Sequence, residues 1–223
     1  RILIFDDENY TVLLKIGILL NKLNKFNEAE EYLNDAIHCG NPNKELLIQL
    51  GMSYGGQQKF LQSLEAFKEA LSLSLNDPVI HYQLGIIYKE LEIYNLAIEE
   101  FNQYLTKNSN DYIAYYLIGN SYYNMEIYDI ALEYFNKSYD INHGHIKSLY
   151  SIGSCYLKLN DNKKAAKIFK SIIKRDPNHV QSRSELVDLY IALNKSREAK
   201  KECEIIYMLD REIYNSIEYC ISK

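Results

Sequence analysis

Residue types able to do chemistry are present in this 223-residue chain, but they are dispersed. His143 and His145 flank Gly144, and a metal there would need further ligands, none of which share the spacing. Their setting reads as an exposed loop. Cys39, Cys155, Cys203 and Cys220 have no C-x-x-C spacing and lie far apart, so they read as buried free thiols rather than a zinc or disulfide framework. That reading goes with a reducing, cytoplasmic setting. The serines form no G-x-S-x-G elbow, no Gly-rich phosphate loop follows a strand, and carboxylate pairs such as Glu99 and Glu100 fall on outward helical faces. His81 occupies a core register. No catalytic residue, metal ligand or cofactor is expected, and the chain does not read as an enzyme. What does recur at fixed spacing is tyrosine: Tyr82, Tyr116 and Tyr150 are each 34 residues apart. A tyrosine offers a large stiff contact area and a hydroxyl, which suits recognition.

Composition narrows the partner. Apolar residues make up 47% and charged residues 25%, as in a folded soluble protein. The net charge of -5 argues against nucleic acid. No run approaches ~18 consecutive apolar residues, so no membrane insertion is expected. The charge is uneven: residues 1–110 are net -6 and residues 111–223 net +1. The basic excess lies between Lys158 and Arg175, and reads either as a solvated helix face or as a docking site for an acidic partner. There are 21 tyrosines and no tryptophan, so some tyrosines simply stand where another aromatic would serve.

The elements that must position these residues repeat. Gly17, Gly51, Gly85, Gly119 and Gly153 are each 34 residues apart, and the next step lands on Val187. In the same register follow Leu20, Tyr54, Tyr88, Tyr122, Tyr156 and Tyr190, then Ala29, Ser63, Ala97, Ala131, Ala165 and Ala199. Leu33, Phe67, Phe101, Phe135, Phe169 and Cys203 close each copy. Every copy reads as two helices: His81, Leu84, Gly85 and Tyr88 share one face, as do Ala97, Phe101, Tyr104 and Leu105. The short polar or glycine-bearing connections between them, such as Gly55-Gly56-Gln57-Gln58, force antiparallel neighbours. A helical glycine costs about 0.5–1 kcal/mol against alanine. Five in one register need a compensating gain, expected from close helix approach in which Gly85 faces Ala97 and Phe101 fills the space beside them.

Leu84, Gly85, Tyr88, Ala97 and Phe101, repeated on a period of 34, resemble the tetratricopeptide repeat. The resemblance covers copies at 10–43, 44–77, 78–111, 112–145, 146–179 and 180–213. It implies an all-α fold, a right-handed α-solenoid of six tandem helix-turn-helix repeats. Residues 212–223 read as a C-terminal capping helix, and residues 1–9, with Ile2 to Phe5, as a cap or as the end of a preceding helix, since the sequence starts at Arg1. The fourth position, tryptophan-like in the family, holds Leu13, Leu47, His81, Tyr115, Leu149 and Arg183.

The family resemblance further implies that first helices line a concave groove. Helical spacing puts Tyr82, Tyr116 and Tyr150 on that stripe, with Ile86, Met52 and Asn120 at the next offset and Lys89 and Tyr123 at the one after. Leu14, Ile18 and Ile48 add apolar character to its N-terminal half. The alternative is that these side chains pack between adjacent copies. The family's carboxylate clamp is not expected: its positions hold Tyr116, Asn120, Ser151, Gln181 and Glu185, and only Asn120 fits. The reading is a scaffold that binds a peptide or helix of another protein in its groove. The alternative is a structural, targeting or self-association segment of a larger protein, which leaves a homo-oligomer open.

Overall fold

The computed structural model describes residues 7–40 and 42–217. The apolar opening Ile2–Phe5, and Cys220 and Ile221 of the expected closing helix, lie outside the described residues. Two compact units divide the chain, Arg1–Asn110 and Asp111–Lys223.

The first unit contains α1 (Asp7–Lys22), α2 (Phe26–Cys39), α3 (Lys44–Gly56), α4 (Phe60–Leu73), α5 (Pro78–Glu90) and α6 (Tyr94–Leu105). The second contains α7 (Tyr112–Asn124), α8 (Tyr128–Ile141), α9 (Ile146–Lys158), α10 (Asn162–Arg175), α11 (Val180–Ala192), α12 (Ser196–Leu209) and the short α13 (Arg211–Ser216). No strand occurs among the described residues. In each unit consecutive helices pack as pairs, and each pair packs on the next; α1, α3 and α5 also touch in sequence. The molecule is an all-α solenoid of stacked helix pairs.

Glycine and aromatic hold each pair together. A Cβ added to Gly85 would sit 2.6 Å from Cε1 of Phe101, and one on Gly51 2.8 Å from the ring of Phe67. Gly119 and Gly153 meet Phe135 and Phe169 in the same way, and Gly17 meets Leu33. All four phenylalanines are essentially fully buried. The three atoms nearest the missing Gly85 side chain all belong to Phe101: its absence makes room for the ring. Ser63 stands in the alanine register, and its hydroxyl donates to the Gly51 carbonyl at 2.7 Å, so the substitution leaves no buried polar group unpaired. In the last pair Val187 and Cys203 are both buried where earlier pairs carry glycine and phenylalanine.

Each turn inside a pair ends on a left-handed residue that is not glycine: Asn24, Gln58, Glu92, Glu126, Asn160 and Asn194, with φ between 57° and 62°. The following amide bonds back five residues, as in Lys25 N to Leu20 O (2.9 Å) and Ile93 N to Tyr88 O (2.8 Å). This closes a Schellman motif and satisfies the last carbonyls of the first helix. Gly55 and Gly56, read in the sequence as connection, belong to the end of α3, where a Cβ on Gly56 would meet the Phe26 ring at 2.4 Å.

The joint before α5 is built on Asp77. Its carboxylate accepts from Val79 N at 3.0 Å and from Lys44 Nζ at 2.6 Å, with Pro78 as the first helical residue. The Lys44 bond, followed by the backbone N–H groups, holds the Asp77 carboxyl below its ordinary value of 3.8. A depressed folded-state value means the contribution is fully present above pH 3.8 and is lost as pH falls below it.

Two outcomes follow from these contacts. Gly85→Leu should lower stability by roughly 1–3 kcal/mol through overpacking, and pairing Gly85→Ala with Phe101→Leu should recover part of the loss of Gly85→Ala alone; thermal melts without that recovery would place the strain elsewhere. Asp77→Asn keeps a capping oxygen but loses the ion pair. It should cost about 0.5 kcal/mol at neutral pH and nothing once the pH is well below 3.8, as read from urea melts across that range.

Candidate partner-binding surface

In the first unit, α1, α3 and α5 border an open pocket of about 630 Å³. Met52 and Ile86 line its apolar side, with Ile87 and the rings of Phe26, Phe60 and Phe67. Asn21, Asn24, Gln58, Gln83 and Glu90 supply its polar side. Gly51, Gly55 and Gly56 also line it. Two of the four sequence-expected residues of this unit, Met52 and Ile86, thus meet in one pocket. Tyr82 and Lys89 are not among the residues lining it. Tyr82 is half-buried against its own pair, 5.9 Å from the Phe101 ring and 4.9 Å from that of Tyr104. Lys89 pairs with Glu90 at the pocket edge.

The pocket-lining Asn21 is fixed by polar contacts. Asn21 Nδ2 donates to the Gln49 carbonyl at 2.8 Å and to Gln49 Oε1 at 3.0 Å, and its Oδ1 accepts from Ser53 Oγ at 2.7 Å. Asn21, Gln49 and Ser53 are buried, and so is Ile48, which is therefore not the open groove side chain the sequence reading expects. The turn residues Asn24 and Gln58 escaped the sequence reading. Their common register was visible, but only their left-handed backbone turns them to the pocket rim.

In the second unit, Tyr116 lies 5.5 Å from Phe135 and 5.2 Å from His145. Tyr150 repeats the arrangement, 5.5 Å from Phe169 and 5.7 Å from His179, and its hydroxyl donates to Glu185 Oε1 at 2.8 Å. Burial first, then the Glu185 carboxylate, pushes the Tyr150 phenol well above its ordinary range. Tyr123 packs 5.3 Å from Tyr128 and is also raised, chiefly by burial. The Glu185 carboxylate helps to raise both phenols, Tyr150 through a direct hydrogen bond and Tyr123 through its charge alone. Asn120 accepts from Asn124 Nδ2 at 3.4 Å. All four residues expected here are half-buried: each presents one side and packs the other.

The remaining candidates are structural. His81 Nδ1 lies 2.6 Å from Glu100 Oε2 and its Nε2 3.2 Å from the Leu75 carbonyl. Glu100 therefore turns inward, unlike exposed Glu99. Three periods later Arg183 makes the same bridge, to Glu202 and, at 2.8 Å, to the Pro177 carbonyl. His143 is exposed and His145 half-buried, its Nδ1 2.7 Å from Ser148 Oγ, with burial lowering its pKa. Among the described residues no three His, Cys, Asp or Glu are grouped to hold a metal, and no helix is long and apolar enough to cross a membrane. Cys39 and Cys155 are free, and burial pushes the Cys155 thiol up to about 12. Cys203 is disulfide-bonded, which corrects the expectation of free thiols throughout. The absence of a C-x-x-C spacing says nothing about bonds between cysteines brought together by the fold.

Comparisons with known proteins bear on this arrangement. A family model described as tetratricopeptide repeat matches residues 10–37 and 45–77, and a second of that description residues 156–208. A model described as anaphase-promoting complex, cyclosome, subunit 3 matches residues 94–172. No curated protein matches the sequence. Among solved structures, a tetratricopeptide repeat protein from Parabacteroides merdae is similar with a TM-score of 0.76 at 23% identity, over 91% of this chain and 80% of that one. PilF of Pseudomonas aeruginosa is similar at 0.73 and 14%, over 92% and 93%. MamA of Desulfovibrio magneticus is similar at 0.72 and 22%, over 78% and 98%. At these identities the likeness is one of fold.

The tyrosine geometry has a measurable consequence. Tyr150→Phe keeps the ring on Phe169 and removes the bond to Glu185, so it should cost about 0.5–1.5 kcal/mol with unchanged helicity; a variant melting at or above the parent temperature would show that the hydroxyl does not anchor α9 to α11.

Proposed function

This chain belongs to the tetratricopeptide-repeat family, and from that premise we propose that it is a non-catalytic scaffold whose first helices receive a peptide or helix of another protein. The family's repeats are protein–protein interaction scaffolds in general. The finer reading, a groove without a carboxylate clamp, is carried by the open pocket of about 630 Å³ in the first unit. Its size suits one or two side chains of a peptide. Met52 and Ile86 offer an apolar anchor site, and the side-chain amides of Asn24, Gln58 and Gln83 can both donate to and accept from a peptide backbone.

We assign Tyr82 and Lys89 in the first unit, and Tyr116, Asn120, Tyr123 and Tyr150 in the second, to the same binding role. The half-buried tyrosines suit it because a ring already held by its own helix pair loses little entropy on contact. We also keep the six copies at 10–43 to 180–213 as the units of the scaffold, with the segment from residue 212 covering the last. One matching family model is named for a subunit of a multi-component complex, which supports a partner of protein nature.

The test is selection of binding peptides from a random displayed library on the intact chain. Met52→Asp together with Ile86→Asp should weaken the selected peptides at least about tenfold, the loss expected for one desolvated anchor, while Lys163→Glu on α10, which does not line the pocket, should leave them unchanged. Equal binding to both variants would remove the pocket from the reading.

A further inference from the structure

One outward position of the second helices carries its charge in blocks. Glu31, Glu65, Glu99, Glu133, Lys167 and Lys201 are each 34 residues apart, and all six are exposed. The sign reverses between Glu133 on α8 and Lys167 on α10. On α10 the basic side is extended by Lys163, Lys170 and Lys174, which with Lys167 are spaced four, three and four residues apart. That spacing puts them on one face over about 16 Å of helix. All four are exposed. None pairs with a carboxylate among the described residues: the nearby Asp161 takes Lys164, and Lys170 rests 5.3 Å above the Tyr190 ring.

Like charges one turn apart on a helix repel, so the stripe weakens α10 unless something acidic covers it. The first unit carries such a surface. Glu31 and Asp35 on α2, and Glu65 and Glu69 on α4, are exposed, one turn apart, and unpaired among the described residues. We propose that the lysine face of α10 docks on the α2–α4 acidic face of a second copy of this chain. The contact lies on the outer helices and is separate from the pocket between the first helices.

Two other occupants fit less well. A bilayer would need apolar side chains to insert beside the lysines, and none of the large exposed apolar residues lies on α10. A nucleic-acid backbone would meet Asp161 and Asp176 at the two ends of the stripe on a chain of net charge -5. The acidic face of the same chain has matching charge and matching one-turn spacing. Because the two faces differ, the contact is heterologous, and each copy keeps one face for a further neighbour.

Sedimentation velocity on the full chain tests this. At an ionic strength of about 0.05 M the weight-average mass should rise at least about twofold with concentration, and at about 0.5 M it should return to the monomer, because screening shortens the reach of exposed charges. Lys163→Glu with Lys167→Glu and Lys174→Glu should abolish the rise, as should Glu31→Lys with Glu65→Lys and Glu69→Lys. Mixing the two reversed variants should restore it. Neutral Gln replacements at the same positions, which place no reversed charge on the helices, should abolish it too, with helicity followed by circular dichroism. A wild-type chain that stays monomeric at low salt overturns the proposal, as does association that survives either replacement set. Should the monomeric wild type instead bind polyglutamate, duplex DNA or phosphatidylserine vesicles through these lysines, the surface serves that partner and not a second copy.

Discussion

The close approach of two antiparallel helices at a glycine is the contact on which the rest of this molecule depends. The absent side chain on Gly51, Gly85, Gly119 or Gly153 leaves a hollow into which the ring of the paired helix fits. The backbone cost of each glycine is repaid by burying a phenylalanine completely. Because the contact recurs on an unbroken period, the pairs from Gly51 with Phe67 to Gly153 with Phe169 bring their helices together at the same register. That constancy sets where the outer side chains of consecutive helices stand, and so whether a row of charges or a row of rings can form.

The same contact links the architecture to the surface proposed for recognition. Tyr82, Tyr116 and Tyr150 each lean on the phenylalanine of their own pair, so the ring that holds the helices together also fixes the ring that faces outward. The pocket of the first unit is likewise lined by the small residues Gly51, Gly55 and Gly56 and by the Phe67 and Phe26 rings packed against two of them. Aromatic packing at Gly56 explains why the pair of glycines ends α3 instead of forming the turn. The turn itself is carried by Gln58 in a left-handed conformation.

Much of the fold was readable because a helix pair repeated in strict register needs no long-range inference: the Gly, Ala and Phe positions announce which faces meet. The binding surface was less readable for a physical reason. Periodicity identifies the face of a helix turned to its partner, but a solenoid helix has a second neighbour in the next pair, and spacing alone does not say how far that neighbour covers the other face. Ile48 is therefore buried while Tyr82, one period on, is half-buried, and Asn21 is buried while Lys89, two periods on, is half-buried. Glu100 turns in toward His81 because the residue opposite it happens to be a donor. The disulfide of Cys203 left no local trace at all.

A stack of nearly interchangeable pairs also has a problem of identity, since any pair could dock on the wrong neighbour at little cost in shape. The junction of α1 and α3 resolves it with a polar address. Asn21 satisfies its amide only through Gln49 and Ser53. The positions equivalent to Asn21 along the chain hold Gly55, Lys89, Tyr123, Leu157 and Ile191, none of which can replace it. A mispaired first copy would leave a buried amide without partners, at about 1–3 kcal/mol. Beside the Leu33 that takes the phenylalanine register in the first pair, three hydrogen bonds mark that pair as the first.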